Sequence, residues 1–168
     1  TFFNLYYWNQ EIRLVRYIDH DNYEIFSFPL NSKVDRFKFS NKEVEIVFES
    51  ILELFQIDLV HFQTPQELPL SLIPLAKKLG RGVLYTAHDF LLYCPKFDLV
   101  TFSKSKDGYE FCNLEKDLDK CKVCLDYFFP NNEVGKDYLK VRRAYIRSNV
   151  LRSVDTFIVP SGFIKKQL

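Results

Sequence analysis

Apolar and polar residues follow one another along this chain in a pattern that predicts strands and helices in turn. Apolar side chains recur at three- and four-residue spacing over 42–55, which is typical of an amphipathic helix, and Ser40 or Asn41 can cap its start. Short apolar runs without alternation predict strands that are buried on both faces. The predicted strands are 57–63, 82–88 and 155–161, and the further helices are 69–79, 134–154 and a segment that opens with GFIKKQL.

Two local signals refine this order. The segment TFFNLYYWN suits a buried strand, and the loosely alternating runs EIRLVRYI and YEIFSFPL flank the polar turn DHDN, so an antiparallel hairpin is predicted from Glu11 to Phe28. Pro74 lies inside the predicted helix 69–79 and should kink or split it, because proline lacks an N–H and its ring clashes with the preceding turn.

The element order indicates the fold class. Strands that alternate with helices predict an α/β domain with an open parallel sheet flanked by helices, preceded by the hairpin. Residues 89–132 show no sustained period, and such a long irregular stretch in a compact domain is usually functional or cross-linked. We therefore interpret residues 1–168 as one domain and residues 89–132 as a cysteine-containing insertion.

Polar side chains collect where the predicted strands end. Ligands of open α/β sheets bind outside the carboxyl ends of the strands, so these groups can converge on one cleft. Imidazole and carboxylate can hydrogen-bond sugar hydroxyls or transfer a proton, whereas the simpler alternative is that the histidines bond to nearby backbone. The candidates are His61, Gln63 and Thr64, then His88 and Asp89, and finally Ser161.

Four cysteines fall within the insertion and nowhere else: Cys94, Cys112, Cys121 and Cys124. The last two form a C-x2-C pair, whose spacing lets two thiolates reach one tetrahedral zinc ion. Four sulfur ligands would leave no open position, so such a zinc would be structural. Two disulfides and four unlinked thiols remain the alternatives.

Charge argues against one class of partner and suggests another. Lys and Arg number 23 against 22 acidic residues, so there is no overall polycationic surface for nucleic acid. The predicted helix carries six basic residues over 136–152, which form either a solvated face or a contact with an anionic membrane surface. No run approaches eighteen uninterrupted apolar residues, so no membrane span is expected.

Several segments together resemble the amino-terminal domain of family 4 glycosyltransferases. They are IDLVHFQTP, LSLIPLAKKLGRGVLYTAHDFLLYCP, the later cysteines with CKVC, and LRSVDTFIVPSGFIKKQL. The resemblance covers about residues 42 to 168, and its most specific part is the motif T-x-H-D-F-x-x-x-C-P. It implies a Rossmann-like domain that forms one half of a GT-B architecture.

The resemblance also implies an activity. A retaining, metal-independent glycosyltransferase would move a sugar from a nucleotide-sugar to a saccharide or lipid-linked acceptor, with the acceptor held by this half. The family's cleft histidine carries over to His88, and Asp89 carries over as its motif partner. Ser161 lies where the family's strand ends near the cleft. Gln63 replaces the second histidine of the family's common H-x-H, which leaves the role of that position open.

The resemblance further predicts that this chain is a piece of a longer polypeptide. A first strand with a glycine-rich loop would precede Thr1, and the nucleotide-sugar domain would follow Leu168, so the chain would be inactive alone. We expect a cytoplasmic protein that can reach the inner face of the membrane through 136–152. The alternative is a non-catalytic, cysteine-stapled module that binds nucleic acid or protein.

Overall fold

A computed structural model describes residues 2–6, 15–18, 24–29, 37–63, 65, 68–103, 108–112, 117–131 and 134–167. The strands are β1 (Phe2–Tyr6), β2 (Val15–Ile18), β3 (Glu24–Pro29), β4 (Leu59–Gln63), β5 (Gly82–Thr86), β6 (Val100–Ser103), β7 (Gly108–Phe111) and β8 (Thr156–Ile158). The α-helices are α1 (Lys42–Leu54), α2 (Leu72–Lys78), α3 (Leu118–Phe128), α4 (Lys136–Tyr145), α5 (Leu151–Ser153) and α6 (Gly162–Gln167). A π-helical segment, Ile146–Val150, joins α4 to α5.

A small parallel sheet organises the fold. Its strand order is β4-β5-β8, and both pairings are parallel. Leu59 lies opposite Gly82, Gln63 lies opposite Thr86, and Thr86 lies opposite Ile158. The predicted α/β class is therefore confirmed, and a parallel three-stranded sheet flanked by helices is compatible with a Rossmann-like domain.

The main core forms where the helices pack against this sheet. Helix α2 contacts α1, β5 and the helical run from α4 to α5. The helices and strands contribute side chains that are almost fully buried because their apolar faces meet here. These side chains include Val44, Phe48, Leu72, Ile73, Val83, Tyr85 and Val150.

Burial differs between the three strands. Val83 and Tyr85 of β5 are buried, as predicted for a strand covered on both faces. In β4 and β8, however, Leu59 is 55% exposed and Ile158 is 41% exposed. The prediction of full burial is wrong for these two strands, because they form the edges of the sheet and α2 packs against the central strand.

The amino-terminal strands form a separate three-stranded sheet in the order β1-β3-β2. Strand β1 pairs with β3 in parallel, and β2 pairs with β3 antiparallel, with Val15 opposite Ser27. This antiparallel pairing falls within the predicted hairpin of Glu11 to Phe28, whose connecting residues 19–23 lie outside the described part of the chain.

Helix α2 corrects the prediction made for Pro74. The helix begins at Leu72 and runs without interruption to Lys78, so Pro74 lies in its first turn. The first N–H groups of a helix have no acceptor within the helix, so a proline there removes no hydrogen bond. The predicted split is therefore wrong, because the helix starts three residues later than the sequence pattern suggested.

The predicted helix 134–154 is one helical run with a change of pitch. It continues from Lys136 to Ser153 through the π-helical segment, whose first and last residues, Ile146 and Val150, are buried.

In the described part of the chain no helix is both long enough and apolar enough to cross a membrane.

The insertion contains more regular structure than its sequence pattern indicated. Strands β6 and β7 pair antiparallel, with Val100 opposite Phe111, and α3 spans eleven residues including both cysteines of the C-x2-C pair. The prediction of an irregular segment over 89–132 is wrong in these parts. Leu125 is the one buried residue of α3, so the helix lacks an apolar stripe that would reveal its period.

Asp155 connects β5, β8 and α2 at the amino-terminal side of the sheet. Its carboxylate accepts hydrogen bonds from Lys77 Nζ at 2.5 Å and from the backbone N–H of Val83 at 2.9 Å. The bond from Lys77 and then that from Val83 hold the pKa of Asp155 below its usual range. A carboxyl group with a lowered pKa stabilises the fold above its unfolded pKa and loses that contribution as the pH falls through its folded pKa.

We therefore expect Asp155→Asn to lower the midpoint of urea unfolding at pH 7 relative to the unaltered chain. The difference between the two proteins should shrink as the pH falls below about 4, because both then carry a neutral group at this position. Unfolding monitored by circular dichroism at pH 7, 5 and 3 measures this. A difference that is independent of pH would show that the carboxylate charge has no part in the effect.

Candidate functional site

Two pairs of polar side chains bridge β4 and β5 toward the carboxyl edge of the sheet. His61 Nε2 and the Thr86 hydroxyl are hydrogen-bonded at 2.7 Å. Gln63 Oε1 accepts a hydrogen bond from His88 Nε2 at 3.2 Å. His61 and Gln63 are two residues apart on β4 and so lie on one face of it, which places the two pairs in a row along the sheet.

His88 is exposed, as are His61 and Gln63 of the same row. His88 follows the end of β5 by two positions. Because an amide oxygen only accepts, the bond to Gln63 assigns the proton of a neutral ring to Nε2 and makes Nδ1 an acceptor. The sequence predicted both residues as candidates, and the structure brings them together.

The other histidine, His61, is also exposed. His61 is bonded to Thr86, whose side chain is buried, so its ring nitrogen is used within the sheet. The simpler alternative for His61 was a bond to nearby backbone, whereas the bond in the structure is to a side-chain hydroxyl. Thr86 was not among the predicted residues, although its position opposite Gln63 at the strand end was a usable signal.

Asp89 begins the insertion and shapes its first turn. Its Oδ1 accepts a hydrogen bond from the backbone N–H of Leu91 at 2.8 Å, which is the geometry of an Asx turn. Burial first, and then the charge of Asp89, raises the pKa of Tyr85 well above the usual range of a phenol. The carboxylate is thus bonded to its own backbone and lies near the core side of β5.

Ser161 ends the connection from β8 to α6. Its hydroxyl accepts a hydrogen bond from the backbone N–H of Ile164 at 3.3 Å, so it caps the short helix α6. Because β5 and β8 are parallel, His88 and Ser161 both follow the carboxyl ends of their strands. Thr64, the remaining predicted residue, lies outside the described residues.

Three phenylalanines that the sequence pattern did not single out form a cluster next to these residues. The ring of Phe163 contacts those of Phe90 and Phe111, with centroids 6.2 and 6.0 Å apart. Phe111 is 58% exposed and Phe163 is 49% exposed, so the cluster presents aromatic surface to solvent. Phe90 follows His88 by two residues and Phe163 follows Ser161 by two, which places this surface beside the candidate cleft.

The four cysteines are unlinked and half-buried. Burial raises the pKa of the Cys94 thiol to about 11, and the neighbouring Cys124 adds to this. Burial also raises the pKa of Cys121, where the positive charge of Arg143 opposes the shift and Cys112 and Cys124 add to it. Without a bound cation, Cys94 and Cys121 are therefore protonated thiols at neutral pH. Over the described residues no three His, Cys, Asp or Glu side chains are arranged to hold a metal ion.

A buried arginine lies beside this cluster. Arg142 is 3% exposed, and its Nη2 donates a hydrogen bond to the backbone carbonyl of Leu91. Burial lowers the pKa of its guanidinium, while Tyr138 and then Cys94 act in the opposite direction. A guanidinium stays protonated at neutral pH even so, and Arg142 therefore places a positive charge inside the protein.

Four of the six basic residues of 136–152 are exposed, namely Lys136, Lys140, Arg147 and Arg152, and two are not. Arg142 is buried, Arg143 is half-buried with its Nη2 3.5 Å from the sulfur of Cys121, and Lys136 forms an ion pair with Asp119.

Comparisons with known proteins did not identify a relative of this chain. Neither models of protein families, nor curated proteins, nor solved structures gave a significant match to this chain.

Proposed function

We propose that this chain is the acceptor-binding half of a retaining glycosyltransferase, with His88 in the cleft where the sugar is transferred. The proposal rests on one observation above all. A histidine follows the central strand of a parallel sheet, its ring is exposed, and Gln63 holds it in one orientation through a 3.2 Å hydrogen bond. The sequence resemblance to family 4 glycosyltransferases supports the same role for the same residue.

The orientation of His88 suits hydrogen bonding to a sugar. With Nε2–H bonded to Gln63, Nδ1 can accept a hydrogen bond from a sugar hydroxyl. A side chain that is already oriented loses less conformational entropy when the ligand binds, and this favours a precise contact. The nucleotide-sugar would be bound mainly by a second domain of a longer polypeptide, and this half would supply the acceptor surface.

The phenylalanine cluster favours a saccharide acceptor. Aromatic faces carry partial negative charge, and they pack against the C–H groups on the apolar face of a sugar ring. Phe111 and Phe163 expose such surface, and Phe163 contacts Phe90, which follows His88 by two residues. An acceptor sugar can stack there while its hydroxyls reach the polar edge of the sheet.

The first test replaces the proposed cleft histidine in the longest polypeptide that contains this chain. Sugar transfer from a panel of nucleotide-sugars should fall by about 100-fold or more in His88→Ala, because a positioned hydrogen-bonding or proton-transferring group is lost. Asp58→Asn is the matched control, since it changes an exposed residue at the amino-terminal edge of the same sheet. Equal transfer rates for His88→Ala and the control would reject the role of His88.

The second test addresses the acceptor surface. Phe163→Ala should raise the acceptor KM by about 3- to 10-fold and leave the KM for the nucleotide-sugar unchanged, because one aromatic contact contributes about 1 kcal/mol. Leu54→Ala removes an apolar side chain from α1 that is even more exposed than Phe163 and should change neither constant. A rise in the nucleotide-sugar KM alone would place the cluster on the donor side and contradict this assignment.

A further inference from the structure

The structure brings the four cysteines of the insertion into one neighbourhood. The thiol of Cys94 interacts electrostatically with that of Cys124, and the thiol of Cys121 interacts with those of Cys112 and Cys124. The cysteines come from three different segments, namely the loop after β5, the end of β7 and the helix α3. Such convergence of residues that are far apart in sequence requires the three segments to pack on one another.

Each segment presents its cysteine from a backbone that is held by hydrogen bonds. The loop is closed by a bond from Phe90 N–H to the Phe97 carbonyl at 3.0 Å and by one from Phe97 N–H to the Cys94 carbonyl at 2.9 Å. Phe97 adopts a left-handed φ of 58°, which costs energy for a residue with a bulky side chain. Cys112 extends the β6–β7 pairing through a bond from its N–H to the Leu99 carbonyl.

Aromatic and cationic contacts fix the loop and the hairpin against α3. Lys96 Nζ lies 3.9 Å from the ring centroid of Phe128, and the Tyr109 ring lies 6.2 Å from the same ring. On α3 itself, Cys121 and Cys124 are three residues apart and therefore lie on the same side of the helix. The two cysteines of α3 thus lie on one side of a helix against which the segments carrying Cys94 and Cys112 pack.

Among the described residues, three cations (Arg142, Arg143 and Lys96) and one carboxylate (Asp117) act on the thiols of Cys94 and Cys121, so positive charge is in excess. Arg143 donates toward the sulfur of Cys121 at 3.5 Å, and the charges of Arg142 and Lys96 act on Cys94. Lys96 is paired with Asp98, but Arg142 is buried, and its Nη1 has no hydrogen-bond partner within the described residues. A buried cation is costly unless negative charge compensates it, and neutral thiols are weak acceptors that supply none.

We propose that Cys94, Cys112, Cys121 and Cys124 bind one structural zinc ion as four thiolates. Zinc with four thiolates carries a net charge of minus two, which would compensate the cations that surround the cluster. Binding converts four thiols and Zn²⁺ into the tetrathiolate complex and releases four protons, with no change in oxidation state. The side chains are not arranged around an ion as they stand, so the four sulfurs must draw together to about 2.3 Å from the metal.

Disulfides would leave the same charges unexplained. Two S–S bonds are neutral, so Arg142 would stay buried without compensation and Arg143 would face an uncharged sulfur. Four sulfur ligands also leave no open position on the zinc, which makes the site a clasp for the insertion and not a centre for chemistry. The proposal is independent of the glycosyltransferase assignment, because it requires no substrate.

Elemental analysis tests the site directly. Protein purified without added metal should contain about one equivalent of zinc, and four thiols should become titratable after denaturation with a chelator. Cys112→Ser should lower the zinc content to a small fraction of this value. Val123→Ser should keep it, because this exposed residue lies between the two cysteines of α3 and adds the same hydroxyl without removing a thiol.

Two results would overturn the proposal. Zinc below about half an equivalent together with no titratable thiols would show that disulfides form instead. Four titratable thiols in a protein that takes up no zinc even when Zn²⁺ is added would show that the thiols are unlinked. Both results come from the unaltered protein, so they remain decisive even if Cys112→Ser does not fold.

The positive charge of Arg142 can be tested separately. Arg142→Met should weaken zinc binding by about 10-fold or more, because groups around the ligands typically contribute a factor of 10 to 100 in affinity. Competition with a chromophoric chelator measures this. Arg147→Met is the control, at an exposed position five residues further along the same helical run. Arg142→Lys should retain most of the affinity, and equal losses in Met and Lys variants would show that charge is not the cause.

Discussion

The pairing of β5 on both of its edges is the constraint on which the rest of the described structure depends. β4 and β8 both bond to this strand, and Val83 and Tyr85 project from it into the core. Because buried backbone groups must find partners, β5 cannot slide along either neighbour without losing bonds on both sides and turning its buried side chains outward. This fixed register determines where His88 leaves the sheet and places Gln63 within reach of its ring.

The same strand also determines how the insertion begins. Asp89 turns the chain directly after His88, and Leu91 and Leu92 then return to the main core. Arg142 of α4 anchors the same segment through its hydrogen bond to the Leu91 carbonyl. The residues that directly follow β5 are therefore bonded to one another through Asp89 and to the helical run through Arg142. Because that helical run packs on α2, the insertion starts from a rigid base.

Elements with a long apolar face could be predicted from the sequence, and elements without one could not. α1 was predicted at 42–55 and is found at Lys42–Leu54, because its buried residues repeat with the helical period. α3 was missed because Leu125 is its one buried residue, and this residue packs in a small cluster with Val134 and Leu139, which lie outside the helix. The burial of Arg142 did leave a signal, since it lies three residues after Leu139 and four before Ile146, on the stripe that those residues define.

Arg142 also explains how the cysteine cluster can lie next to the candidate cleft at His88 while the two remain separate sites. Its guanidinium holds the Leu91 carbonyl, three residues beyond His88, while its charge acts on Cys94. Negative charge on the cysteines would strengthen the hold of Arg142 on this segment, because opposite charges attract strongly where water is excluded. His88, however, is oriented by Gln63 from the neighbouring strand and not by the insertion. We therefore infer that loss of the cysteine cluster loosens the wall beside His88 first, while the sheet continues to orient its ring.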